Sequence, residues 1–188
     1  PDALLPDLLP GTTRFYDTPK GLSAFRRKVL KPLSAASNDT TPLRLWLPAC
    51  AAGSEAYTLT IDIIEALHAA GSTRKLRVIA TGLHGPGLDR ASSGVYPKAI
   101  LHDLPRAWRT RYFQTEGDTC RVKDTLRGKI TFAYHVMLSD PPFMDLDLIV
   151  CRHMLSDLRD VPQTRAAKLF QFSLKPGGYV MLGPTDTL

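Results

Sequence analysis

The sequence predicts an α/β domain of Rossmann-like type with a small antiparallel β insertion. From Leu43 onward, short apolar runs alternate with amphipathic helical patterns, which implies parallel strands joined by crossover helices. The run Leu43-Arg44-Leu45-Trp46-Leu47 ends in the small-residue turn Pro48-Ala49-Cys50-Ala51-Ala52-Gly53, after which Glu55 opens a helical pattern. A strand, a tight turn and a helix start in that order present backbone amides to a nucleotide-type ligand. Near the end, Pro176-Gly177 forms a turn before the strand-like Gly178 to Leu182.

Residues 1–42 read as a lead-in segment and helix, and residues 43–188 as the α/β domain. Pro1 to Gly11 is rich in leucine and proline, Leu22 to Leu33 is a helical pattern that stops at Pro32, and Ser34 to Pro42 is a polar loop. Leu43 to Leu47 is the first strand. Glu55 to Ala70 is a helix with Ile61, Ile64 and Leu67 at core spacing. Leu76 to Thr81 is a second strand ending at Gly82, and Pro86 starts the next helix. The stretch of about 111–134 reads as the β insertion: Arg111-Tyr112-Phe113, Cys120-Arg121-Val122 and Ile130 to Tyr134, with Glu116-Gly117-Asp118 between them. Such insertions often serve recognition. Asp147 to Cys151 is a buried-type strand, Gln163 to Leu174 a helix, and Gly178 to Leu182 another strand.

Composition narrows the function classes. A chain of 188 residues with 44% hydrophobic content can bury a substantial core. No apolar run is long enough to cross a bilayer, which argues against direct membrane insertion. Three cysteines without paired spacing predict reduced thiols in the cytoplasm and no zinc site. The net charge of +6 favours acidic partners. The basic residues are not interleaved with aromatics, so no base-stacking platform and no nucleic-acid partner is expected.

Several blocks then resemble the CheR family of chemotaxis-receptor methyltransferases, which use S-adenosylmethionine (SAM). They are Thr13-Arg14-Phe15-Tyr16, Ala49 to Tyr57, Ser93-Gly94-Val95-Tyr96-Pro97, Arg111-Tyr112-Phe113, Asp140-Pro141-Pro142-Phe143, Asp147 to Arg152, and Leu174-Lys175-Pro176-Gly177-Gly178-Tyr179. The similarity runs from about Thr12 to Leu188 and is nearest to the versions inside hybrid signalling proteins that also carry methylesterase, PAS or kinase modules. The resemblance implies a SAM-dependent methyltransferase fold and methyl transfer to receptor glutamates. A carboxylate is already nucleophilic at neutral pH, so the enzyme's task is alignment rather than proton removal. It also implies that Gly53, Glu55, Leu83, His153 and Met154 line the cofactor, with Glu55 meeting its amino group. The implied partners are other modules of a larger signalling protein or a chemoreceptor-like protein. A late sheet strand present in the family is not found before Leu188.

This chain departs from the family pattern at many of the implied contacts. The family arginine of a Phe-Phe-Arg-Asp segment is Asp17 here, and the tyrosine of the Cys-Arg-Asn block falls on Asp157. Two carboxylates near a substrate carboxylate repel it, by about 4 kcal/mol at 4 Å in an intermediate dielectric. No catalytic residue therefore remains at these positions. The aspartate that holds the ribose is Gly82, a loop glycine is Ala49, an asparagine near the adenine is Val136, and the asparagine of the Cys-Arg-Asn block is His153. Loss of charge-assisted bonds of about 1.5–3 kcal/mol each weakens SAM or S-adenosylhomocysteine by roughly ten- to a thousandfold.

Three readings remain open on the sequence alone. The first is a catalytically silent domain kept for sensing or protein contact. The second is an active methyltransferase with a shifted site, for which Asp17 and Asp157 suit a cationic acceptor. The third is a cleft repurposed for a metal or another ligand, around Cys50, His84, His135, His153, Asp17 and Asp157, whose spacing is not a recognised metal pattern.

Overall fold

The computed structural model describes residues 23–35, 41–83, 85–102, 104–152, 154–155, 160–183 and 186. Ordered along the chain, the elements are α1 (Lys31–Ala35), β1 (Leu43–Leu47), α2 (Ser54–Ala69), β2 (Leu76–Gly82), α3 (Pro86–Ser93), β3 (Val95–Pro97), α4 (Arg106–Tyr112), β4 (Phe113–Glu116), β5 (Thr119–Val122), α5 (Asp124–Arg127), β6 (Ile130–Tyr134), β7 (Leu146–Cys151), α6 (Asp160–Ser173) and β8 (Leu174–Leu182). A π-helical turn, Arg26–Leu30, precedes α1, and a 3-10 turn, Lys98–Leu101, follows β3.

Among the described residues the main sheet runs β6-β2-β1-β7-β8, with every neighbouring pair parallel. The chain moves from β1 outward to β2 and β6, then crosses back to β7 and β8. The reversal of strand order therefore lies between β1 and β7, where open α/β sheets form their ligand crevice. All six residues of β7 are buried, as expected for a central parallel strand covered on both faces.

Alternation along the strands feeds two cores. Leu43, Leu45 and Leu47 of β1 pack with Leu59, Ile61, Ile63, Ile64 and Leu67 of α2. On the opposite face Trp46 meets Ile149 and Cys151 of β7 and Phe170 of α6. The Trp46 indole N–H donates to Thr81 Oγ1 at 3.0 Å, so this large buried ring keeps its polar group satisfied. Phe25 and Leu30 join the first core, which ties the lead-in helix to the domain. That helix does not stop at Pro32. Lys31 N–H reaches Arg26 O in a π-type bond, and Pro32 lies within the continuous helix, directly after this π segment.

The predicted insertion over about 111–134 divides differently. Its small antiparallel sheet has the order β3-β5-β4 and begins at Val95, while Ile130–Tyr134 is β6 of the main sheet, paired in register with β2. Three residues ending in proline carry too little periodicity to announce β3. The apolar β6 run looks the same whichever sheet receives it.

Candidate functional site

The crevice at the carboxyl ends of β1, β2, β6 and β7 is built around residues 48–53. Cys50 N–H donates to Thr81 O at 2.8 Å and Gly53 N–H to Cys50 O at 2.8 Å, which folds the turn onto the end of β2. Gly53 has φ +80°, and a Cβ there would lie 2.5 Å from Ala91 Cβ, so only glycine fits. Its close approach lets α2 and α3 meet. Two hydroxyls hold the same place: Tyr96 donates to Ala52 O at 2.7 Å and Tyr57 to Ala91 O at 2.8 Å. Burial raises both phenol pKa values, so both remain neutral donors.

Ala49 and Ala51 adopt φ of 59° and 37°. Left-handed backbone costs a residue with a Cβ about 1 kcal/mol. The alanine at position 49 is exposed, and its left-handed φ is carried without the freedom a glycine would have there. The first turn of α2 carries Glu55, an acidic group favourably placed toward a helix N-terminus. Its first-turn amides lack intrahelical partners, which is the usual anion-facing feature of this architecture.

Arg152, at the end of β7, places Nη1 3.0 Å from Glu55 Oε1, and both side chains are largely shielded from solvent. This ion pair joins the end of β7 to the first turn of α2 across the crevice. In the sequence Arg152 stands out only as the last residue of the block Asp147 to Arg152. A useful signal was available, because a cation directly after a fully buried strand needs a partner.

Gly82 ends β2 without a side chain. The space for one exists: a Cβ there would lie 3.9 Å from Cys50 N and Sγ, and no positive φ constrains the position. Leu83, next along, is 69% exposed, and Tyr134, paired in register with Gly82, is also exposed. Val136 is half-buried and its N–H donates to Asp140 Oδ2 at 2.7 Å. The His135 ring packs against both Trp46 and Phe143, which also touch each other, with Nε2 3.1 Å from Pro141 O. Met154 packs against the core on the Trp46 face. Asp17, His84, His153 and Asp157 lie outside the described residues.

Burial pushes the Cys50 thiol up to about 11 and Cys151 to about 12, so neither is a nucleophile at neutral pH. Among the described residues, no three His, Cys, Asp or Glu side chains converge as a metal would need. A cavity of about 300 Å³ lies at the other end of the sheet, lined by Leu33, Arg74, Asp147, Lys175 and Tyr179 among others.

Comparison with known proteins places the chain in a family. Residues 11–188 match the CheR methyltransferase, SAM binding domain. An uncharacterized 104.1 kDa protein of Rhodobacter capsulatus, in the hypE 3′ region, is 34% identical over 97% of this chain, which spans 19% of that protein. Chemotaxis protein methyltransferases of Borreliella burgdorferi and Listeria monocytogenes are 25% and 29% identical over 94% and 93% of the chain. The chain spans 64% of each. A solved SAM-dependent methyltransferase from Thiobacillus denitrificans, in complex with S-adenosyl-L-homocysteine, shares 15% identity with a TM-score of 0.45, covering 88% of this chain and 48% of that one. The chain belongs to the CheR methyltransferase family and comprises its SAM-binding domain.

Proposed function

We propose that this domain is a degenerate CheR-type methyltransferase fold that binds SAM or S-adenosylhomocysteine weakly and transfers no methyl group to glutamate. It serves instead as a sensory or protein-interaction module of a larger cytoplasmic signalling protein, in contact with that protein's other modules or with a chemoreceptor-like protein. The observation that carries this reading is Gly82. The strand end where the family's carboxylate would grip the ribose diol offers only backbone, although a side chain has room there. Glu55, expected to receive the cofactor's amino group, is already engaged by Arg152. The residues present therefore suit SAM poorly. Asp17 and Asp157 add charge of the wrong sign for a glutamate substrate. The larger-protein setting is supported by the small share of the Rhodobacter relative that this chain spans. No described helix is long and apolar enough to cross a membrane.

Titration calorimetry with SAM and S-adenosylhomocysteine tests the cofactor half of this reading. The expected result is no saturation in the low-micromolar range, and a low-micromolar Kd overturns it. Transfer of labelled methyl from SAM to receptor fragments tests the other half. Incorporation into base-labile glutamyl esters would establish the alternative, an active protein-glutamate O-methyltransferase.

A further inference from the structure

The lower part of the sheet face that carries Trp46 bears positive charge that no described carboxylate neutralises. Arg44 of β1 and Arg77 of β2 are register partners. Lys129 immediately precedes β6, and its carbonyl accepts Val78 N–H at 2.9 Å. Leu43, Leu45, Leu76 and Val78 all belong to the first core, so strand alternation turns Arg44 and Arg77 to the opposite face. Arg77 is exposed, Arg44 and Lys129 are half-buried, and Arg44 Nε is buried without a hydrogen-bond partner. Asp147 lies close to Arg44, accepting its backbone N–H at 2.8 Å. That carboxylate is already held by Arg74 at 3.0 Å and Lys175 at 3.2 Å. Like charges on directly opposed strand positions repel, so this row costs stability unless an anion joins it.

Among the described residues the cover over this face is incomplete. Phe170 of α6 packs on Trp46, and Met137, Leu138 and Phe143 close the upper part. Below them Thr131 is exposed and Ile79 half-buried. The open strip spans β1, β2 and β6, about 10 Å at the usual strand spacing. That is the width of one α-helix, and α/β sheets are ordinarily covered by helices on both faces. Carboxylates three and four residues apart on a helix stand roughly 5–6 Å from one another, close to the strand-to-strand step of the row.

We propose that this strip is a docking surface for an acidic helix of a partner protein, whose stripe of glutamates or aspartates meets Lys129, Arg77 and Arg44. The site is remote from the crevice and does not depend on SAM binding. The test uses the full chain and a synthetic alanine-rich helical peptide carrying one stripe of glutamates, with its glutamine twin as control. Chemical-shift mapping on the unmutated chain should place the glutamate peptide at Arg77, Lys129 and Thr131, with no binding of the glutamine twin. Arg77→Glu and Lys129→Glu should each weaken binding about tenfold, and Arg77→Gln less, while Arg121→Glu on the exposed side of the small sheet leaves it unchanged. Shifts elsewhere, equal loss with Arg121→Glu, or no saturable binding would overturn the proposal. So would a single-stranded oligonucleotide or anionic phospholipid vesicles occupying the strip where the peptide does not.

Discussion

Arg152 Nη1 lies 3.0 Å from Glu55 Oε1, joining the end of β7 to the first turn of α2 across the crevice. The Arg152 side chain is 5% exposed and that of Glu55 18%, so the pair is only weakly screened. Removing one partner from such a pair takes a compensating charge away from the other in a poorly solvated place. Arg152→Ala is expected to cost about 3 kcal/mol in urea denaturation, and Glu55→Gln, which keeps an acceptor, about 1. The double variant should show a coupling energy above roughly 1 kcal/mol. Additive losses would mean that the contact contributes nothing beyond its separate parts.

Gly82 offers a gain-of-function test of the weakened cofactor site. Its backbone needs no positive φ, and a new Cβ meets only Cys50 at ordinary contact distance. Gly82→Asp should therefore fold and present a carboxylate at the strand end. One or two charge-assisted hydrogen bonds to a ribose diol are each worth about 1.5–3 kcal/mol. S-adenosylhomocysteine affinity should rise by roughly tenfold or more in calorimetry, with 2′,3′-dideoxy analogues gaining nothing. A folded variant with unchanged affinity would show that the ribose contact is not what limits binding.

The strand–helix alternation is legible in the sequence because each strand is a short apolar run bounded by turn residues, and α2 repeats its apolar positions at helical spacing. The candidate crevice is legible in part. Gly53 and Glu55 announce themselves by their place between strand and helix, whereas the Glu55–Arg152 contact joins residues 97 apart and appears only when β1 and β7 become neighbours. The role of Tyr96 is hidden for the same reason, since its hydroxyl reaches Ala52 from the small sheet. Arg44, Arg77 and Lys129 look scattered along the chain, and parallel register gathers them.

The turn over residues 48–53 should respond very differently to two small substitutions. Gly53→Ala forces a Cβ 2.5 Å from Ala91 Cβ and 3.0 Å from the Tyr96 hydroxyl, at φ +80°. Strain and overpacking together should cost about 2–4 kcal/mol. Adding Ala91→Gly should return only the part due to the Cβ–Cβ contact, because the Cα of residue 91 at 2.9 Å and the Tyr96 hydroxyl at 3.0 Å still crowd the new Cβ and φ stays at +80°. Ala49→Gly instead relieves left-handed strain of about 1 kcal/mol while loosening the unfolded chain by a similar amount. It should be close to neutral in the same denaturation series.

Asp62 makes stability depend on pH. It sits on α2 with 2% exposure, receives the Arg26 guanidinium Nε on Oδ1 at 3.1 Å, and leaves Oδ2 buried without a partner. Burial, with a smaller push from Glu65, raises its pKa to about 7 from an ordinary value near 4. A raised folded pKa means that the native state binds this proton more readily than the unfolded chain does. The contribution is thus fully present below about pH 4 and is lost as pH rises toward 7. Arg26 is half-exposed and opposes part of the effect by favouring the ionised form. The resulting loss of unfolding free energy between pH 4 and 7 should be on the order of 2–4 kcal/mol at this site. Asp62→Asn removes the titration and should flatten that segment of the stability profile, with the variant gaining on the parent as pH rises. Parallel profiles for the two proteins between pH 4 and 7 would show that Asp62 stays ionised through its pairing with Arg26.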